Sequence, residues 1–144
     1  MKTVFFIEDD SVVSDVYGAK LRREGFSVAV AEDGLKAVKM LSAMRPDVVV
    51  LDLMMPKFNG VDVLKYMRSN PALKDTPVVI LSNAHMTRLA QEAAAIGAER
   101  ALLKSSCTPS KLIEAINDLL SGKAVKPDSS DRLGVRVTPT KPQP

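Results

Sequence analysis

The stretch Val48-Val49-Val50-Leu51-Asp52-Leu53-Met54-Met55-Pro56-Lys57-Phe58-Asn59-Gly60 constrains the fold more than any other. Four apolar residues in succession, three of them β-branched, read as a strand buried on both faces. Such a strand belongs in the middle of a parallel sheet. It closes on Asp52, which has no charged neighbour until Lys57. Pro56 and the Asn59-Gly60 pair then turn the chain out of the sheet. The run therefore delivers one carboxylate to the C-terminal edge of a central strand, where open α/β sheets bind their ligands. Standing alone, Asp52 would read as a cap for the next segment, so the rest of the chain decides its role.

Four further strands follow the same logic. Val4-Phe5-Phe6-Ile7 is fully apolar and runs into Glu8-Asp9-Asp10. Phe26 to Ala31 alternates, as a strand nearer a sheet edge would. Pro77 to Ser82 is a fourth strand ending on Ser82, and Ala101-Leu102-Leu103 is a fifth ending on Lys104. Between them lie helical spacings. Val12, Val13, Val16, Tyr17, Lys20 and Leu21 form a first helix, capped by Asp10 or Ser11 and stopped by Gly25. Leu35 to Met44 form a second, ending before Pro46. Val61, Val63, Leu64 and Met67 form a third, ending at Asn70-Pro71. Thr87 to Ile96 form an Ala-rich fourth. A fifth is capped by Thr108, started by Pro109 and stopped by Gly122. Five strands alternating with five helices predict a three-layer α/β/α sandwich with a parallel sheet of the flavodoxin-like order 2-1-3-4-5.

A chain of 144 residues suits one such domain. Residues 1–121 are expected to form it. Residues 122–144 hold four of the nine prolines and read as a Pro-rich basic tail or linker. Within that tail, the alternation of Leu133, Val135 and Val137 offers a short strand that could pair with a sheet edge. The body is electrically neutral, with fifteen charges of each sign, and the net +3 sits wholly in the tail. The charge balance is therefore weak support for a nucleic-acid surface. A single cysteine, Cys107, precludes an internal disulfide and lacks the companions of a nucleophile. The lack of a signal peptide or a long apolar span leads us to expect a cytoplasmic protein.

Four strands thus end on polar residues that a parallel sheet collects at one edge: Glu8 and Asp9, Asp52, Ser82, and Lys104. Crowded carboxylates repel unless a cation neutralises them, and Mg²⁺ prefers a few carboxylates, a carbonyl and waters. A metal, a lysine and a hydroxyl around one carboxylate suit a phosphoryl group, with Asp52 as the nucleophile that becomes an aspartyl-phosphate.

Glu8-Asp9, Leu51-Asp52-Leu53-Met54-Met55-Pro56, Asn59-Gly60, Ser82 and Lys104 together resemble the receiver domain of two-component response regulators over about residues 2–121. The resemblance implies that Asp52 is the phosphoacceptor. It implies that Glu8, Asp9, Asp52 and the Met54 backbone carbonyl hold Mg²⁺. Ser82 would be the switch hydroxyl, and Lys104 would pair with the phosphoryl group. Asp10 is read as a helix cap. The implied partners are a sensor histidine kinase or a histidine phosphotransfer protein, a downstream protein, and a second copy in a homodimer. The tail is too short for a DNA-binding domain, so the chain is either a stand-alone receiver or cut from a larger regulator. Turnover is expected only of its own phosphoryl group.

Two positions depart from the family pattern. Ser105 stands after Lys104 where a proline is usual, and Ala101 replaces the usual Tyr or Phe of the switch. Other readings fare worse. Phosphatases of the haloacid-dehalogenase type need a second Asp where Met54 stands. A flavin site lacks stacking aromatics, and no P-loop motif is present. His85, the only histidine, reads as a surface residue near the site mouth. Of Met54 and Met55, one is expected to pack the loop.

Overall fold

The computed structural model describes residues 1–83 and 88–122. The apolar run is β3, Val48–Leu51, and all four of its residues are fully buried. Around it lie β1 (Thr3–Ile7), β2 (Ser27–Ala31), β4 (Val78–Ser82) and β5 (Arg100–Leu103), all parallel, in the order β2-β1-β3-β4-β5. The alternating segment is indeed an edge strand: β2 is half-buried where β3 and β4 are covered throughout.

The helices are α1 (Ser11–Arg23), α2 (Gly34–Leu41), α3 (Gly60–Ser69), α4 (Arg88–Ile96) and α5 (Pro109–Ser121). Alternate side chains of the sheet sort into two buried clusters. Phe5, Ile7, Val49, Leu51 and Ile80 face α2, α3 and α4, and Ala101 lies in the same cluster as Ala90, Ala93 and Ala98. Phe6, Val50, Val79 and Leu81 face α1 and α5, together with Tyr17, Cys107, Leu112 and Ile116. Cys107 is thus a core residue.

Local sequence chemistry sets the helix ends. The Asp10 side chain accepts from the amides of Val12 and Val13, which selects Asp10 over Ser11 as the cap of α1. Gly25 and Gly97 follow α1 and α4 at φ +97° and +103°, conformations that glycine adopts without steric cost. Thr108 caps α5 with Pro109 in the first turn, and Gly122 closes it in the left-handed region.

Two helices differ from expectation. Val12 and Val16 share the helical spacing of α1 with Tyr17 and Leu21 but are 68% and 53% exposed, while Ser14, Tyr17, Gly18 and Leu21 are buried. The apolar pattern spans two adjacent rows, and only the row through Tyr17 and Leu21 can face the sheet. Its inner flank is Ser14 and Gly18, whose small size lets the helix backbone approach β2. The second helix ends at Leu41, ahead of Met44. There the Ser42 hydroxyl bonds the Lys39 carbonyl at 2.6 Å and the ladder tightens to Ala43 N–H on Met40 O. Leu35, at the start of α2, is exposed. The expectations for His85, for Thr87 as a helix residue and for a strand in the tail lie outside the described residues.

At the amino end of β4, the Arg68 guanidinium bonds the carbonyls of Lys74, Thr76 and Gly97 and the Glu99 carboxylate. Glu99 in turn accepts from Val78 N–H at 2.8 Å. One side chain of α3 thereby ties the segment before β4 to the loop between α4 and β5. Arg68→Ala is expected to lower unfolding stability by about 2 kcal/mol in urea titration, because four acceptors lose a charged donor together. A change below about 0.5 kcal/mol would show that the clamp is solvent-exchangeable.

Candidate functional site

The register of the sheet builds the site. Ile7 is paired with Leu51, so the next residues, Glu8 and Asp52, emerge side by side. Both strands extend one hydrogen bond further, Glu8 N–H to Ala31 O at 3.0 Å and Asp52 N–H to Ile7 O at 2.9 Å, which fixes the backbone of each acid. Ser82 is paired with Leu103, which brings the hydroxyl residue beside the one that precedes Lys104. Glu8, Asp9, Asp52, Ser82 and Lys104 therefore all lie at the carboxyl edge, as a parallel sheet requires.

Glu8 and Asp52 are almost wholly buried and Asp9 is exposed. Their carboxylate oxygens lie within 4.8 Å of one another. Lys104 Nζ stands 2.8 Å from Glu8 Oε1 and 3.7 Å from Asp52 Oδ1. The other Glu8 oxygen accepts from Asp10 N–H at 3.1 Å, so Asp10 both caps α1 and steadies the neighbouring acid. Glu8 Oε1 is buried, and its close partner is the Lys104 ammonium. Met54 N–H donates to Asp52 Oδ1 at 3.3 Å while the Met54 side chain is exposed; Met55 is the buried member of the pair.

A fit for a hard divalent cation follows from this donor set. Three carboxylates share one small volume, and among the described residues one ammonium opposes them. Oxygen-only ligands of this kind match Mg²⁺.

The loop beyond Asp52 is braced on two sides. A methyl group on Gly60 would lie 2.4 Å from the Asp52 carbonyl oxygen, and one on Gly34 would lie 2.0 Å from that of Phe58. Both helix starts therefore press directly on this backbone. Lys57 adopts φ +67°, and Phe58 N–H bonds Pro56 O at 2.8 Å across it, a tight γ-turn that is uncommon for a residue with a side chain. The Asn59-Gly60 pair, read as a turn, is the start of α3. Asn59 caps it in a reciprocal box with Asp62, a pairing signalled by the three-residue spacing. After Lys104 a 3-10 turn runs over Lys104–Ser106, and every peptide bond among the described residues is trans.

The family model for the response regulator receiver domain matches residues 4–117. This chain belongs to that family. Among curated relatives, the probable transcriptional regulatory protein TcrX of Mycobacterium tuberculosis is 42% identical over 81 residues, 56% of this chain and 33% of that protein. The DNA-binding response regulator MtrA of Mycobacterium leprae is 37% identical over 79 residues, 55% of this chain and 34% of that protein. The matches span about a third of the length of these relatives. Among solved structures, the receiver domain of Francisella response regulator 1452 is 30% identical with TM-score 0.76, covering 85% of this chain and 98% of that one. Chemotaxis response regulator CheY4 of Vibrio cholerae is 27% identical, also at TM-score 0.76, covering 83% and 98%. The receiver domain of a Pseudomonas aeruginosa sensor histidine kinase, with a magnesium ion in its active-site cleft, shares the fold at TM-score 0.77 and 21% identity, covering 83% and 98%.

Burial in this receiver pushes the Asp52 carboxyl up to about 7; the Glu8 charge adds to the rise, Lys104 and the Met54 amide oppose it, and Asp9 adds a little more. Glu8 is raised too, first by burial, against the pull of Lys104. Without a divalent cation, the folded chain binds the Asp52 proton more tightly than the unfolded chain does. Stability should therefore fall as pH rises from the ordinary carboxylate value of 3.8 to about 7, and that contribution should level off above. Asp52→Asn removes this part of the slope. At pH 8 without Mg²⁺ it is expected to exceed the parent by on the order of a few kcal/mol in urea unfolding. Equal midpoints at pH 8 would mean that Asp52 is not held against its charge.

Proposed function

We propose that this receiver accepts a phosphoryl group on Asp52 and passes the event to a protein partner. The observation that carries the reading is the juxtaposition of Glu8, Asp9 and Asp52 within 4.8 Å, with Lys104 against two of them. Asp52 Oδ attacks phosphorus and forms the new P–O bond as the donor's bond to phosphorus breaks. With a phosphohistidine donor the electron pair leaves on the imidazole, neutral once its ring carries a proton; with acetyl phosphate it leaves on acetate.

Glu8, Asp9, Asp52 and the Met54 carbonyl would hold Mg²⁺, which when bound supplies positive charge to the phosphoryl oxygens. Added positive charge also keeps Asp52 ionised, which a nucleophile requires. The Lys104 ammonium, resting on Glu8, is close enough to turn to the phosphoryl group. Ser82 supplies the hydroxyl donor from the adjacent strand. These moves are proposed to shift the loop after Ser82 and to alter the surface of α4, β5 and α5. Ala101 is buried in the cluster with the alanines of α4 and Ala98, so the contact beneath that surface is made of small residues, without an aromatic side chain to swing.

The donor proposed is a sensor histidine kinase or a histidine phosphotransfer protein in the cytoplasm. A downstream protein, or a second copy through the α4–β5–α5 face, would read the result. No turnover of external substrates is proposed. No helix among the described residues is long and apolar enough to cross a membrane.

Intact mass after incubation with acetyl phosphate and Mg²⁺ tests the assignment. One phosphoryl adduct is expected, absent without metal and absent in Asp52→Asn. An adduct on the mutant at parental stoichiometry would move the phosphoacceptor elsewhere. Calorimetric titration of Mg²⁺ should show at least about tenfold weaker binding in Asp9→Ala, as expected for loss of one charged ligand. Unchanged affinity would place the ligands outside this cluster.

A further inference from the structure

Lys104 lacks the support given to the two buried acids. Glu8 and Asp52 leave inner strands and each is held by one further ladder hydrogen bond. Lys104 follows β5, which among the described residues is paired with β4 on one side only, and it opens a 3-10 turn. The closing bond of that turn, Cys107 N–H to Lys104 O, is long at 3.4 Å. Residue 105 is Ser, so no proline ring stiffens the turn. Yet the ammonium reaches a buried carboxylate at 2.8 Å.

The turn is tied from α1, which packs on the same face of the sheet. The Tyr17 hydroxyl, on α1, donates to the Cys107 carbonyl through a buried hydrogen bond that spans 90 residues of sequence. The Tyr17 ring is stacked on Phe6 of β1, with centroids 5.8 Å apart. Phe6 stands two residues before Glu8. One side chain therefore links the strand that delivers Glu8 and Asp9 to the turn that delivers their counter-charge. Burial and the neighbouring Cys107 raise the phenol to about 12, so the group remains a donor over the working pH range.

We propose, building on the reading of Asp52 as phosphoacceptor, that Tyr17 is the positioning residue for Lys104. Its hydroxyl anchors the end of the 3-10 turn, and the turn then presents Nζ to Glu8 and Asp52. The hydroxyl does not touch the reacting atoms. Its effect on phosphoryl transfer passes wholly through the lysine.

Tyr17→Phe keeps the ring on Phe6 and deletes only the donor, so it tests the tie without opening a cavity. At saturating Mg²⁺ and acetyl phosphate, the phosphorylation rate is expected to fall about tenfold, the scale on which a displaced catalytic group loses rate. The same substitution made in a Lys104→Ala background should add nothing to the loss from Lys104→Ala. A rate within twofold of the parent, or losses that multiply in the double variant, would overturn the proposal. A second readout needs no chemistry: in protein labelled with ¹³C at the lysine ε-carbon and free of Mg²⁺, the two Lys104 ε-methylene protons should be distinct in the parent and merge in Tyr17→Phe. An unchanged pair in the variant refutes the tie, even if the parent proves unable to take a phosphoryl group. That inability would instead overturn the function assigned to Asp52.

Discussion

Negative charge crowded at the carboxyl edge of the sheet, with one ammonium to oppose it, is the constraint on which the rest of the site depends. The backbones of Glu8 and Asp52 cannot relax apart, because each extends its strand by one further hydrogen bond, and Asp9 follows Glu8 directly. Burial makes their repulsion stronger than it would be in water. Lys104 relieves part of it by lying on Glu8 and near Asp52. What remains is a standing demand for positive charge, which a divalent cation or a reorganised lysine can meet. The raised carboxyls of Glu8 and Asp52 express the same demand in protons.

A sheet with two apolar faces makes such a site tolerable. The two clusters bury the strand interiors on both sides, and the hydrophobic contribution of that burial outweighs a few kcal/mol of strain at one edge. The stiffening elements surround the acids. Asp10 serves α1 and Glu8 together, Gly60 and Gly34 let two helix starts clamp the loop beyond Asp52, and Arg68 locks the opposite end of β4. On the far side, among the described residues, the sheet ends at β5, where the Lys104 turn follows a strand paired on one side and is tied by Tyr17. On the proposed function, a firmly held Asp52 facing a less constrained Lys104 is the asymmetry expected of a switch that responds by moving the lysine.

Much of this was legible before any coordinates. The strands announced themselves through uninterrupted apolar runs, and their parallel arrangement followed from alternation with helical spacings. Once they are parallel, residues at strand ends must share an edge, so Glu8, Asp9, Asp52, Ser82 and Lys104 could be gathered by topology alone. The errors came where a pattern admits two solutions. On α1 the apolar rows through Val12–Val16 and Val13–Tyr17 are equally periodic, and packing selects the row flanked by Ser14 and Gly18. Asn59-Gly60 is a turn signal and equally a helix start; the distinction lies in Asp62, whose carboxylate closes the capping box.

The sequence by itself determined the element order, the sheet topology and the identity of the residues at the carboxyl edge. These depend on local periodicity and on the rule that parallel strands point one way, both of which are readable along one dimension. Tertiary structure alone decided the electrostatic state of the site: which acid Lys104 rests on, how far burial raises Asp52, and which glycines carry backbone contacts. It alone revealed the tie from Tyr17 to Cys107. Such features depend on distances between residues remote in the chain, and energies that vary steeply with distance and burial leave no periodic trace in the sequence.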